Sequence, residues 1–195
     1  MPPASPATIT STPTRASTPT ERLLTGSLVV GPLLYLAADT TYAVRGWDDA
    51  GAGVLHVLGA IVYGLVVLRV ASWTAPTSWL RALLVLTAVL GMAGNVAYGF
   101  DTIHTSYGDV ALVDRSGAAT LIKPLGLCFP LSLAVVAFTL RRLERHWQAT
   151  LVLLAAAAWP VAHIGNIAAL AVATNVVLTV ALGSLALSGT RTTSG

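Results

Sequence analysis

The sequence predicts an all-α integral membrane protein, a polytopic bundle of six transmembrane helices. Of its 195 residues, 55% are hydrophobic and only 10% are charged, whereas a soluble domain carries about 25% charged residues. The charges also fall in short clusters between long apolar stretches, and a helix needs roughly 20 apolar residues to cross a bilayer. So short a chain cannot bury this much apolar surface in a soluble core, so we expect the lipid bilayer to be its partner.

The first predicted span covers residues 23–44, and the start of its helix is well marked. Thr18 suits the N-cap, Pro19 suits the first helical position and Glu21 completes a capping box. Residues 1–20 are rich in Pro, Ser, Thr and Ala and lack apolar periodicity. We therefore expect a disordered cytoplasmic tail ahead of this helix.

The next three spans are predicted over residues 51–71, 80–100 and 118–140. The second span follows Asp48 and Asp49, whose carboxylates suit a helix N-terminus because they complement its dipole.

The last apolar stretch, residues 149–187, is too long for one span. As a single helix it would reach roughly 58 Å, against about 30 Å of hydrocarbon. A turn at Gly165 and Asn166 therefore predicts two spans, residues 147–164 and 168–188.

The distribution of basic residues predicts the orientation, because Lys and Arg concentrate on the cytoplasmic side. With six spans, both chain ends and the second and fourth loops share one face, which holds eight of the eleven basic residues. These are Arg15, Arg22, Arg69, Arg81, Arg141, Arg142, Arg145 and Arg191. Both termini, including the tail 190–195, are therefore predicted to be cytoplasmic. Since topology explains the net charge of +3, we expect no nucleic-acid partner.

Polar residues inside the spans collect in one layer near the predicted outer face. Such residues are costly in a membrane, so they mark candidate functional positions. The ligand or metal candidates are Asp39, His56, Asp101, His104 and His163, and the supporting polar residues are Asn95, Tyr98 and Asn166. The longest loop, residues 101–117, lies at the same face, where it would cap this layer.

The candidates allow two cofactor hypotheses. Asp39 and Asp101 lie near helix C-termini, where the dipole disfavours a carboxylate, so each is expected to have a cationic partner. For Asp39 the simplest partner is Arg45. Asp101 and His104 are three residues apart and would share a helix face. Facing carboxylates and imidazoles would bind zinc and a water molecule, as in a metal-dependent membrane hydrolase, although no known catalytic motif is present.

The second cofactor hypothesis is a b-type haem with His56 and His163 as its axial ligands. Bis-histidine ligation needs one histidine on each of two facing helices at similar depth, and the predicted depths agree. Alternatively, the polar residues only hydrogen-bond across helices and stabilise packing.

The leading interpretation is a polar pocket open to the outside, with a ligand-binding, sensory or structural role. Polar residues are scarce in the inner halves of the spans, which argues against an ion-conducting pore. The Ala-, Val- and Arg-rich composition is typical of a high-GC bacterium, which favours a multi-pass protein of the bacterial cell (plasma) membrane.

Cysteine labelling tests the orientation. In a Cys128→Ala background, cysteines placed at Asp109 and at Arg142 are expected to lie on opposite sides of the membrane. A membrane-impermeant maleimide should label position 109 in intact cells and position 142 only after permeabilisation. Labelling of both from one side would contradict the predicted topology.

Overall fold

The computed structural model describes residues 17–190 and, within them, contains six α-helices and no strands. All six helices are long and apolar enough to cross a bilayer, which confirms the predicted fold class of a multi-pass membrane protein. The predicted tail residues 1–16 and 191–195 lie outside the described residues. The helices are α1 Pro19–Arg45, α2 Ala50–Ser72, α3 Trp79–Thr105, α4 Ile122–Arg142, α5 His146–Ile164 and α6 Ala168–Thr190.

Local sequence signals explain where several helices begin. The Thr18 hydroxyl accepts a hydrogen bond from the Glu21 backbone N–H, and the Thr18 N–H donates to the Glu21 carboxylate, so the predicted capping box is confirmed. Asp49 caps α2 by accepting from the Ala52 N–H at 2.8 Å. The predicted turn between α5 and α6 is also confirmed, and Asn166 adopts a positive φ of 51° there.

Helix α3 continues beyond residue 100 and ends at Thr105, so Asp101 and His104 belong to the helix itself. The connection to α4, residues 106–121, contains two short 3₁₀ turns at Leu112–Asp114 and Gly117–Leu121. We refer to residues 106–121 as the α3–α4 loop.

The six helices form a closed ring. Each packs against its neighbour in sequence, and α6 packs against α1 to close the circle. Aromatic side chains fill the centre, where the rings of Tyr35, Tyr63 and Phe129 lie 5.0–5.3 Å apart. Successive helices are antiparallel, so α1, α3 and α5 end where α2, α4 and α6 begin. We call this end of the bundle the polar end.

The outer surface of the ring is apolar. Large side chains such as Leu33, Leu58, Leu86 and Leu131 point outward and are exposed. A surface of this kind is solvated by lipid tails rather than by water, as expected of membrane-spanning helices.

Helices α3 and α4 approach closely at two glycines. A Cβ atom added to Gly94 would collide with the backbone of Leu125 and Gly126, and one added to Gly91 would lie 2.6 Å from the Phe129 nitrogen. Small residues allow this backbone contact, which is the main source of packing energy between helices in lipid. The crossing fixes how α3 and α4 sit at the polar end.

We expect Gly94→Ala to destabilise the bundle because the added methyl group forces α3 and α4 apart. Overpacking of this kind costs about 1–3 kcal/mol. Gly26→Ala is the matched control, since a Cβ there meets nothing within 4 Å. Unfolding in mixed micelles with increasing SDS measures both variants, and equal stabilities would show that the crossing tolerates a side chain.

Candidate functional site

A buried network joins α1, α5 and α6 at the polar end. The Asp39 carboxylate is fully buried, with Oδ1 3.3 Å from His163 Nε2. Its second oxygen accepts a hydrogen bond from the Asn175 amide at 2.5 Å. Asp39 lies six residues before the end of α1, about 9 Å inside it at the rise of an α-helix. Three helices are thus tied together inside the membrane-spanning region.

Hydrogen bonding fixes the charge of this network. His163 Nδ1 lies 3.0 Å from the Trp159 carbonyl oxygen, and a carbonyl only accepts, so Nδ1 carries a hydrogen. One further proton then lies between His163 Nε2 and Asp39. The pair is either an imidazolium with a carboxylate or a neutral imidazole with a carboxylic acid, and it is electrically neutral in both cases. Neutrality is what burial at low dielectric demands.

The predicted pairing of Asp39 with Arg45 is wrong. Arg45 is exposed and lies 3.7 Å from Asp49, four residues further along the chain. Asp39 instead faces the interior of the ring, where the Arg45 side chain does not reach.

A second buried network joins α2, α3 and α4. His56 Nε2 lies 3.1 Å from Asn95 Oδ1, and the Asn95 amide donates to the carbonyls of Gly91 and Gly126 at 3.0 and 3.4 Å. Because the Asn95 NH₂ group donates, its Oδ1 accepts, and His56 Nε2 carries the hydrogen. His56 Nδ1 is buried and has no partner among the described residues.

Aromatic rings connect the two networks. The His56 and His163 ring centroids are 6.4 Å apart, and the His163 ring stacks on Trp159 at 4.1 Å. Trp47 meets His163 edge-on at 6.0 Å, and the ring of Tyr98 lies 5.5 Å from that of His56. The two histidines therefore share one layer, as the predicted depths suggested.

The arrangement does not fit the haem hypothesis. Both Nε2 atoms are engaged, His56 with Asn95 and His163 with Asp39, while His163 Nδ1 donates to a carbonyl. Axial ligation through Nε2 would require both networks to break.

Asp101 and His104 lie in other environments. The Asp101 carboxylate is buried and accepts hydrogen bonds from the Leu112 and Val113 N–H groups at 2.6 and 3.0 Å. Its partner is thus the backbone of the α3–α4 loop and not the predicted cation. His104 pairs with Asp109 at 3.6 Å.

The predicted zinc set is therefore divided. The structure brings Asp39, His56 and His163 into one layer but gives Asp101 and His104 separate partners. Within residues 17–190, no group of three or more His, Cys, Asp or Glu side chains is placed to hold a metal ion.

A half-enclosed cavity of about 590 Å³ lies at the polar end between α3, α4, α5 and the loops. His163, Asn95 and Trp159 reach it from the two networks, and the α3–α4 loop contributes Val113 and Asp114 to its wall, so this loop does cap the polar layer. Most of the lining is apolar. Other lining residues are Trp47, Asp48, Tyr98, Asp101, Ile122, Lys123, Gly126, Leu127, Ile164 and Asn166.

Several of these residues escaped sequence reasoning. Asn175 is a lone amide in an apolar span, a signal that marks it as a candidate, but its partnership with Asp39 depends on the closure of α6 onto α1. Trp47 and Trp159 have no such signal, because tryptophans are also common at membrane interfaces.

Comparison with protein-family models, curated proteins and solved structures finds no match to this chain. The argument for its function therefore depends on the geometry of the site.

We expect Asp39→Ala to lower the free energy of unfolding by about 3–5 kcal/mol, because it leaves the buried His163 and Asn175 groups without a partner. Asp39→Asn should cost less, since the amide can accept from Asn175 and donate to a neutral His163. Unfolding in mixed micelles measures both variants.

A double-mutant cycle with His163→Ala separates the pair from general packing. The loss in Asp39→Ala/His163→Ala is expected to fall short of the sum of the single losses by about 0.5–3 kcal/mol. Strictly additive losses would show that the two side chains do not depend on each other.

Proposed function

We propose that this membrane protein binds a small, largely apolar ligand in the cavity at the polar end and serves as a ligand-binding or sensory component. The observation that carries the proposal is the cavity of about 590 Å³ with a mostly apolar lining and a few convergent polar groups. Ligand pockets have this character and span about 300–1,000 Å³.

The two buried networks support this role because they hold part of the cavity lining in place. His163 is fixed through both ring nitrogens, and Asn95 uses its amide group on two backbone carbonyls. Ionisable groups inside a membrane are rare and mark functional sites. A lining fixed in this way loses little conformational entropy when a ligand binds.

The Tyr98 hydroxyl is a polar group available to a ligand. It has no hydrogen bond to any residue between 17 and 190, and Tyr98 lines the cavity. A ligand with an oxygen or nitrogen atom would find a donor and acceptor here that needs no rearrangement of the two networks.

The distribution of arginines supports an outward-facing cavity in a bacterial cell membrane, since the polar end lies opposite the arginine-rich face. A ligand would then enter from outside the cell. The metal-hydrolase and haem alternatives are less well supported, because their donor atoms already serve the networks and the α3–α4 loop.

A cavity-filling variant tests the function. Gly126 lines the cavity, and a Cβ there meets nothing within 4 Å, so Gly126→Leu should occupy the space without disturbing helix packing. Gly183→Leu on α6 is the matched control, because its Cβ position is equally open and Gly183 does not line the cavity. A library of water-soluble fragments is screened by melting temperature in maltoside micelles.

Fragments at 100 times their Kd should stabilise the protein by about 2.7 kcal/mol, which raises Tm by roughly 5–10 °C. We expect this shift in the wild type and in Gly183→Leu, and its loss in Gly126→Leu. A screen in which every stabilising fragment acts equally on all three proteins, or in which none stabilises, would refute the cavity as a ligand site.

A further inference from the structure

We propose that the ligand of this cavity is a small organic cation of the alkylammonium class. The proposal rests on the proposed ligand-binding function and adds the chemistry of the ligand. It follows from the charge balance of the lining and from the aromatic rings that share it.

The charged groups of the lining leave an excess of negative charge. Lys123 lies 3.4 Å from Asp114, so these two cancel. The Asp39–His163 pair is neutral by its hydrogen bonds. Asp101 and Asp48 remain, one bonded to two backbone N–H groups and the other exposed with no ion-pair partner among residues 17–190.

The other charges of the polar end do not offset this excess. Arg45 pairs with Asp49, and His104 with Asp109. Arg115 is a further cation of the α3–α4 loop, but it does not line the cavity.

Aromatic rings in the same lining select the kind of cation. Trp47, Tyr98 and Trp159 all line the cavity, and the faces of Trp and Tyr attract cations, above all alkylated ammonium groups. A metal ion would instead need several free oxygen ligands, and both Asp101 oxygens are already bonded to backbone N–H groups. The methyl groups of an alkylammonium ion also suit the apolar remainder of the lining.

Three isosteric probes of different charge test the assignment: choline, its neutral carbon analogue 3,3-dimethylbutan-1-ol, and the anion 3,3-dimethylbutanoate. Titration calorimetry on the full chain in uncharged maltoside micelles gives each Kd. We expect choline to bind at least about tenfold more tightly than the alcohol, as one cation–π contact and one carboxylate together imply, and the anion to bind most weakly.

Two variants locate the effect. Asp48→Asn should weaken choline about fivefold to tenfold, the size of one ion pair in a partly hydrated site, and leave the alcohol unchanged. Trp47→Phe should weaken choline about threefold, because phenylalanine is the poorer cation–π partner. Asp109→Asn is the control, since it removes the same charge at the same end outside the lining.

Alkylammonium groups occur both in free solutes and in lipid headgroups, and dihexanoylphosphatidylcholine distinguishes the two. Tighter binding of this short lipid than of choline assigns the site to a headgroup, whereas tighter binding of choline assigns it to a free cation.

Equal affinities for choline and the alcohol would overturn the cation assignment, as would equal effects of Asp48→Asn and Asp109→Asn. Absence of binding by all three probes would overturn it as well. None of these results decides whether the cavity binds ligands, because the fragment screen with Gly126→Leu answers that question without reference to charge.

Discussion

The contact between Asp39 and His163 is the constraint on which the polar end depends. An isolated carboxylate or imidazolium inside a bilayer is strongly disfavoured, so neither residue is tolerable there alone. Together they share one proton and remain neutral, and Asn175 satisfies the second carboxylate oxygen. The same contact links α1, α5 and α6, so the chemistry of a buried pair and the closure of the helix ring are one interaction.

The opposite side of the ring is held differently. Helices α3 and α4 meet through glycine backbones at Gly94 and Gly126, and His56 and Asn95 add a hydrogen-bonded link between α2 and this crossing. A bundle held by close backbone contact on one side and by a proton-sharing pair on the other has little freedom at its polar end. This rigidity explains how a cavity of about 590 Å³ persists among helices that would otherwise collapse into it.

The sequence was informative about whatever the bilayer or local chemistry dictates. Long apolar stretches predicted the six helices, Thr18 and Glu21 predicted the start of α1, and Gly165–Asn166 predicted the last turn. It failed where partners come from distant parts of the chain. Arg45 seemed the natural partner of Asp39 by proximity, yet the true partners are 124 and 136 residues away. The cavity was unpredictable in detail because most of its lining is apolar and resembles any lipid-facing surface.

The way Asp101 holds the α3–α4 loop has a consequence for how the protein can diverge. The carboxylate grips the main-chain N–H groups of residues 112 and 113, which every amino acid except proline provides. The attachment therefore places almost no demand on the side chains of the loop. Relatives that keep an aspartate at this position are free to exchange the residues overhead and acquire a new ligand preference, while the membrane-embedded framework stays as it is.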